Sequence, residues 1–222
     1  MKKGLTELVF ILDKSGSMSG LEKDTIGGFN SMLEKQKIVE GEAVISTVFF
    51  DTNYKLLHDR IDIKAVSQIT ESDYQVGGST ALIDAMGRTI DKIGNAQKNT
   101  AEDYRAEKVM IVIITDGEEN SSREYSSEKV KSMIERQKNK YGWEFIFLGA
   151  NIDAVETAKH FGIAENRAQS FHSDSAGTKL NYQSVSNMVE CYREELAVPD
   201  NWNENIKKDF NQRGEHKKTA KQ

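Results

Sequence analysis

Three short polar clusters carry the residues that could do chemistry in this chain. Asp13-Lys14-Ser15-Gly16-Ser17 follows the apolar run Leu8-Val9-Phe10-Ile11-Leu12. Gly77-Gly78-Ser79-Thr80 precedes a helix-period segment that begins at Leu82, and Thr115-Asp116-Gly117 follows the run Val109–Ile114. Together they offer two carboxylates, Asp13 and Asp116, and three hydroxyls, on Ser15, Ser17 and Thr80. All are hard oxygen donors, with no imidazole or thiolate among them, which suits Mg²⁺, Mn²⁺ or Ca²⁺ rather than zinc or copper. A shell of mostly neutral hydroxyls would leave such a cation under-neutralised and receptive to an external carboxylate. Taken singly, each residue reads as a turn or cap; only their joint placement suggests a site.

That placement depends on the elements around them. Apolar runs alternate with helix-period stretches joined by short polar segments, the pattern of a mostly parallel sheet covered on both faces. Residues 7–12 read as a buried strand. Ser19 and Glu22 have the spacing of a capping box, ahead of a helix that buries Ile26, Phe29 and Leu33. Ala43–Phe50 and Tyr54–Asp59 read as an antiparallel pair, the latter at an edge. Leu82, Met86, Thr89, Ile90 and Ile93 form one helical stripe. Further strands are expected at Val109–Ile114, Phe145–Leu148 and Ala168–His172. Helices are expected at Ser127–Tyr141, at Ala154–Phe161 and over Val185, Met188, Val189, Tyr192 and Leu196. In a parallel sheet the residues that follow two strands emerge on one carboxyl edge. Where strand order reverses, that edge opens into a crevice.

Asp13-Lys14-Ser15-Gly16-Ser17-Met18 at the end of an apolar strand resembles the D-x-S-G-S-M signature of von Willebrand factor type A domains. Thr80 in Gly-Gly-Ser-Thr-Ala-Leu and Asp116 in Ile-Thr-Asp-Gly match the remaining positions of that family's metal-ion-dependent adhesion site. The resemblance covers about residues 5–199. It implies a three-layer, Rossmann-like α/β fold whose six-stranded sheet is ordered 3-2-1-4-5-6, with the third strand antiparallel. It also implies that Ser15, Ser17 and Thr80 contact a Mg²⁺ (or Mn²⁺/Ca²⁺), with Asp13 and Asp116 acting directly or through water. The partner would be a protein presenting Asp or Glu to the metal. The expected function is therefore a metal-dependent protein-binding module, not an enzyme.

Composition sets the outer limits. The chain has 222 residues, 37% of them hydrophobic and 29% charged, with a net charge of −5, so it can bury a core inside a solvated shell. No apolar stretch reaches the ~20 residues of a membrane helix. One cysteine, Cys191, excludes an internal disulfide framework and a Cys-based zinc site. Thr6 and Glu7 interrupt what would otherwise resemble a leader peptide, and a cytoplasmic location is expected. Residues 1–199 are read as the domain. Residues 200–222 are read as a basic C-terminal tail, expected to be flexible, whose lysines are the one feature that could meet nucleic acid.

The enzymatic alternatives fit less well. A phosphatase of the haloacid dehalogenase type would want an aspartate where Ser15 stands. No Gly-rich phosphate loop, nucleophile elbow or paired histidine motif is present. His58, His160, His172 and His216 are scattered, and surface or loop roles are expected for them. Cys191 is expected to face the core, Asp153 to cap a helix, and Trp143 and Trp202 to pack. Glu118 and Glu119 are expected to rim the site.

Overall fold

The first strand sets the frame. β1 (Lys2–Asp13) is buried without interruption from Leu5 onward, and its side chains alternate between two separate apolar clusters. Leu8, Phe10 and Leu12 point into one cluster, Val9 and Ile11 into the other. β4 (Ala106–Thr115) repeats the division, with Met110, Val112 and Ile114 on the first face and Val109, Ile111 and Ile113 on the second. A strand covered on both sides needs no polar face, which is why these runs read as continuous rather than alternating. Each large apolar side chain buried in this way contributes roughly 1.5–3 kcal/mol.

The computed structural model describes residues 1–195 and 197–219; Leu196, expected on the last helical stripe, lies outside the described residues. The remaining strands are β2 (Glu42–Phe50), β3 (Tyr54–Asp62), β5 (Glu144–Ala150) and β6 (Ala168–Phe171). They form one sheet in the order β3-β2-β1-β4-β5-β6, with only β3 antiparallel. The helices are α1 (Glu22–Ile38), α2 (Leu82–Asn99), α3 (Ser127–Tyr141), α4 (Ala154–His160), α5 (Ser175–Glu195) and α6 (Glu204–Thr219). α1, α5 and α6 cover one face; α2, α3 and α4 cover the other. Strand order reverses between β1 and β4, so the crevice lies beyond Asp13 and Thr115. Among the described residues, no helix is long and apolar enough to cross a membrane.

Two local expectations are corrected. Ser19 does not cap α1: residues Gly16–Met18 form a 3₁₀ turn that Ser19 closes, donating its N–H to Gly16 O. Gly20 then takes a positive φ of 90°, and Glu22, now the first residue of α1, accepts the Gly20 N–H at 2.8 Å, so neither half of the capping box forms. The second correction concerns the segment set apart as a tail. Trp202, Ile206 and Phe210 recur at helical spacing, and α6 lays this stripe against β6 and α5. Trp202 and Ile206 are buried, the Trp202 indole donates to Asn166 O at 2.9 Å, and the Phe210 ring stacks on His172 at 4.8 Å.

Candidate functional site

Asp13 ends β1 with its carboxylate almost wholly buried. Oδ1 accepts the Ser15 N–H at 2.7 Å, folding the chain back over the strand end. Oδ2 accepts the Thr115 hydroxyl at 2.6 Å, which ties β1 to the end of β4. Ser15 is buried and Ser17 exposed, and their hydroxyl oxygens stand 3.1 Å apart. Ser17 Oγ donates to Asp116 Oδ1, while Asp116 Oδ2 accepts from Ser173 Oγ at 3.1 Å. The sequence therefore folds so that both strand-end aspartates face a shared set of hydroxyls.

Thr80 arrives from the loop before α2. That loop is pinned to the first cluster by Gly16 N–H donating to Gly78 O at 3.0 Å and Gly77 N–H donating to Lys14 O at 2.9 Å. Gly78 has φ of 74°, and a Cβ there would come within 2.9 Å of Thr52 Oγ1, so glycine is required on two counts. Thr80 N–H donates to Asn120 Oδ1 at 2.9 Å, joining this loop to the one after β4. A Cβ built on Gly117 would lie 3.2 Å from Ser17 Oγ and 3.4 Å from Thr80 Oγ1. The absence of a side chain at 117 leaves room where these two hydroxyls converge.

Burial raises the pKa of Asp13, opposed by its hydrogen bonds from Ser15 and Thr115, and the charge of Asp116 adds to the rise. Burial likewise raises Asp116, opposed by Ser17 and Ser173. Among the described residues, no cationic side chain is a leading offset to either desolvation. The nearest candidate by sequence, Lys14, is ion-paired to Asp51. Two desolvated carboxylates, three hydroxyls and a cleared cradle fit a hard divalent cation, whose charge would hold both carboxylates ionised. Among the described residues no group of three or more His, Cys, Asp and Glu gathers, so a cation here would depend on the hydroxyls for the rest of its shell.

All five residues singled out from the sequence thus meet on one edge. Several supporting residues escaped that reading. Thr115 stood inside the third cluster, and its direct neighbour drew the attention. Ser173 follows β6 at the same edge, a position that strand-end logic could have flagged. Tyr74, whose hydroxyl donates to Asp13 O, lies in an irregular segment and left no signal. Glu119 does not stand free on the rim: its carboxylate accepts the Ile83, Ser121 and Ser122 N–H groups at 2.7–2.8 Å. His58 is buried rather than superficial, with Nδ1 3.0 Å from Thr47 Oγ1, and burial lowers its pKa. Asp153 caps α4 by accepting from Glu156 N–H at 3.0 Å, Trp143 is buried, and Cys191 is half-buried.

The von Willebrand factor type A domain family matches residues 7–184 of the chain. The chain belongs to this family. Solved structures agree with the fold at low identity. The chain is similar to a von Willebrand factor type A protein from Catenulispora acidiphila, with 14% identity and a TM-score of 0.57 over 83% of this chain and 42% of that one. It is also similar to a point mutant of the PilB minor pilin from Streptococcus sanguinis, with 11% identity and a TM-score of 0.59 over 87% and 63%. Manganese-loaded TRAP protein from Plasmodium vivax matches with 17% identity and a TM-score of 0.56 over 81% and 73%. The chain spans less than two thirds of the length of the first two of these structures. No curated protein matches the sequence. The observed sheet order and the single antiparallel strand are those that the type A fold implies.

Proposed function

We propose that this type A domain is a metal-dependent protein-binding module in which Asp13, Ser15, Ser17, Thr80 and Asp116 hold a divalent cation, Mg²⁺ or Mn²⁺ (or Ca²⁺). The observation that carries the reading is the pair of buried carboxylates, facing three hydroxyls with no cationic partner among the described residues. A metal bound there supplies a Lewis-acidic position for an outside carboxylate. Asp13 and Asp116 fix its charge, Thr115 and Ser173 orient the two carboxylates, and the loops at 77–79 and 118–121 frame the approach of a partner's Asp or Glu. The manganese named in the TRAP structure supports this choice of ligand class.

The same residues favour binding over catalysis. Two residues after Asp13, where a phosphatase would place its general acid, the Ser15 hydroxyl faces Ser17 instead. We therefore propose that the domain is not an enzyme. A reducing, cytoplasmic setting fits the single cysteine. Two of the basic residues of α6 are already paired within the chain, Lys208 with Glu204 and Arg213 with Asp174 and Asp209.

The test is affinity capture of protein partners in Mg²⁺ and then in excess chelator, with Thr80→Ala alongside. Chelator should release the partner, and Thr80→Ala should weaken capture while the domain stays folded. A partner retained in chelator and captured normally by Thr80→Ala overturns the reading.

A further inference from the structure

A second cavity lies at the opposite, amino edge of the sheet. It occupies about 520 Å³ between the C-terminal halves of α2 and α3 and the beginnings of β4 and β5. That volume is within the range of sites that take small organic ligands, roughly 300–1,000 Å³. Ile90, Val109 and Trp143 line it and are themselves buried, so its floor is apolar and partly aromatic. Lys98, Arg105, Arg136 and Lys140 line it as well. Four cations in one cleft stand out in a chain whose net charge is −5.

Lys98, Arg136 and Lys140 are exposed and Arg105 is half-buried, and Lys140 also lies over the Tyr141 ring at 5.3 Å. None of the four lies within 4.0 Å of a carboxylate oxygen among the described residues. The two acidic residues of the lining are engaged elsewhere: Asp91 accepts the Tyr125 hydroxyl at 2.8 Å, and Glu107 accepts the Gly4 N–H at 2.7 Å. Lys98 and Lys140 sit in the last turns of α2 and α3, where the helix dipoles account for them. Arg105 has no such account. It enters from the residue before β4, and its Nη2 donates to Thr100 O at 3.0 Å. Its Nε is cut off from solvent with no acceptor, the one orphaned buried side-chain donor in this lining among the described residues.

We infer that this cavity binds a small organic anion with a flat apolar ring system, the ring resting on the floor of Ile90, Val109 and Trp143 and the oxyanion meeting Arg105, Arg136 and Lys140. A guanidinium presents its N–H groups as a planar fork that matches carboxylate or phosphate oxygens. The apolar floor rewards a ring, and Trp143 already stacks on Phe145 at 6.3 Å, so its face is held in a fixed orientation. The site is distinct from the aspartate–hydroxyl edge, because its lining comes from the opposite ends of the strands.

Calorimetric titration of the full chain tests this with 1-naphthoate and 1-naphthyl phosphate, which place a carboxylate and a phosphate on the same apolar ring system, and with neutral 1-naphthamide and inorganic phosphate as controls. One of the two ring anions should saturate a single site, at least tenfold tighter than either control. Which anion binds distinguishes a carboxylate ligand from a phosphate ester. Arg105→Met should weaken that binding at least tenfold. The exposed pair Arg136→Ala/Lys140→Ala should do so too, and it serves if Arg105→Met fails to fold. Ser15→Ala/Ser17→Ala should leave the binding unchanged. No saturable binding of either ring anion at millimolar concentration overturns the inference, as does equal binding of naphthamide or unweakened binding to Arg136→Ala/Lys140→Ala.

Discussion

Removing two hydroxyls should separate the metal's contribution to stability from the fold's own. In Ser15→Ala/Ser17→Ala the lost interactions are the 3.1 Å contact between the two hydroxyls and the Ser17 bond to Asp116. The backbone N–H at position 15 still reaches Asp13, and Ser173 still reaches Asp116. At about 1 kcal/mol per net hydrogen bond the metal-free variant should lose about 1–2 kcal/mol and stay folded. A cation bound only by the native state adds about 2.7 kcal/mol at a hundredfold excess over its dissociation constant. For a domain of this size each kcal/mol moves the midpoint by about 2–4 °C, so Mg²⁺ or Mn²⁺ should raise the wild-type midpoint by about 5–10 °C. The assay is thermal unfolding by circular dichroism, with and without metal, and Asp103→Ala, exposed in the turn before β4 at the opposite edge, serves as a carboxylate control. The variant should show no metal-induced rise and Asp103→Ala the full one. A rise of wild-type size in the double variant refutes the assignment, and so does a wild type that ignores Mg²⁺, Mn²⁺ and Ca²⁺ alike.

Other regions make their own predictions. Arg193 is buried on α5 and donates to Gln36 O, to Val39 O at 3.2 Å and to Gly41 O at 3.1 Å, closing the C-terminal end of α1; Arg193→Met should cost about 3 kcal/mol by denaturant titration, since buried carbonyls lose charged donors. Glu7 is fully buried, its pKa raised by burial against the opposing charge of Arg60, which donates to it at 2.8 Å. A carboxyl whose folded pKa is raised contributes stability at low pH and loses it as pH climbs through that value, and deleting Arg60 raises it further. Arg60→Met should therefore cost about 3 kcal/mol near pH 8 and measurably less near pH 5; a loss that shrinks with rising pH would contradict the burial account. Ile206→Ala, at a position 1% exposed between α6 and the sheet, should cost about 2–4 kcal/mol; no loss would show that α6 packs too weakly to belong to the domain.

What could be read in advance follows from which signals are local. β1 and β4 were legible because burial on both faces makes their apolar runs continuous, and α2 because Leu82, Met86, Ile90 and Ile93 keep a helical period. Asp13, Ser15 and Ser17 were legible as a site because the turn that presents them is built within five residues. The groups that orient them were not. Ser173 lies 57 residues from Asp116, and Tyr74 lies 61 residues from Asp13. Their roles exist only once the sheet has assembled. The α6 helix was misread for a different reason: Trp202, Ile206 and Phe210 are three apolar residues among many lysines, so net charge outweighed periodicity. Glu119 was misread because an acidic residue near a site invites a functional role, whereas α2 needed an acceptor for its first N–H groups.

That role of Glu119 bears on how a partner would be held. In parallel α/β folds the helix N-termini point to the carboxyl edge of the sheet, and their free N–H groups attract anions without any metal. α2 begins two residues after Thr80, so its N-terminus is the one best placed to receive a partner's carboxylate. Yet Ile83 N–H donates to Glu119 at 2.8 Å and Asp84 N–H donates to Ser122 Oγ at 3.0 Å, so these donors are already satisfied from within the chain. Asp13 and Asp116 add negative charge at the same edge. An approaching Asp or Glu therefore meets repulsion and occupied donors unless a cation sits among the five oxygen-bearing residues. On the proposed reading, dependence on metal should be close to complete rather than partial. Glu119→Gln sharpens the point: one unit of negative charge leaves the edge, while the single amide oxygen keeps one side of the set, either Ile83 N–H or the Ser121 and Ser122 N–H groups. Partner binding in Mg²⁺ should then hold or tighten, and binding in chelator should stay absent. Chelator-resistant capture by Glu119→Gln would show that electrostatic repulsion, and not the want of a metal ligand, is what excludes the partner from the metal-free domain.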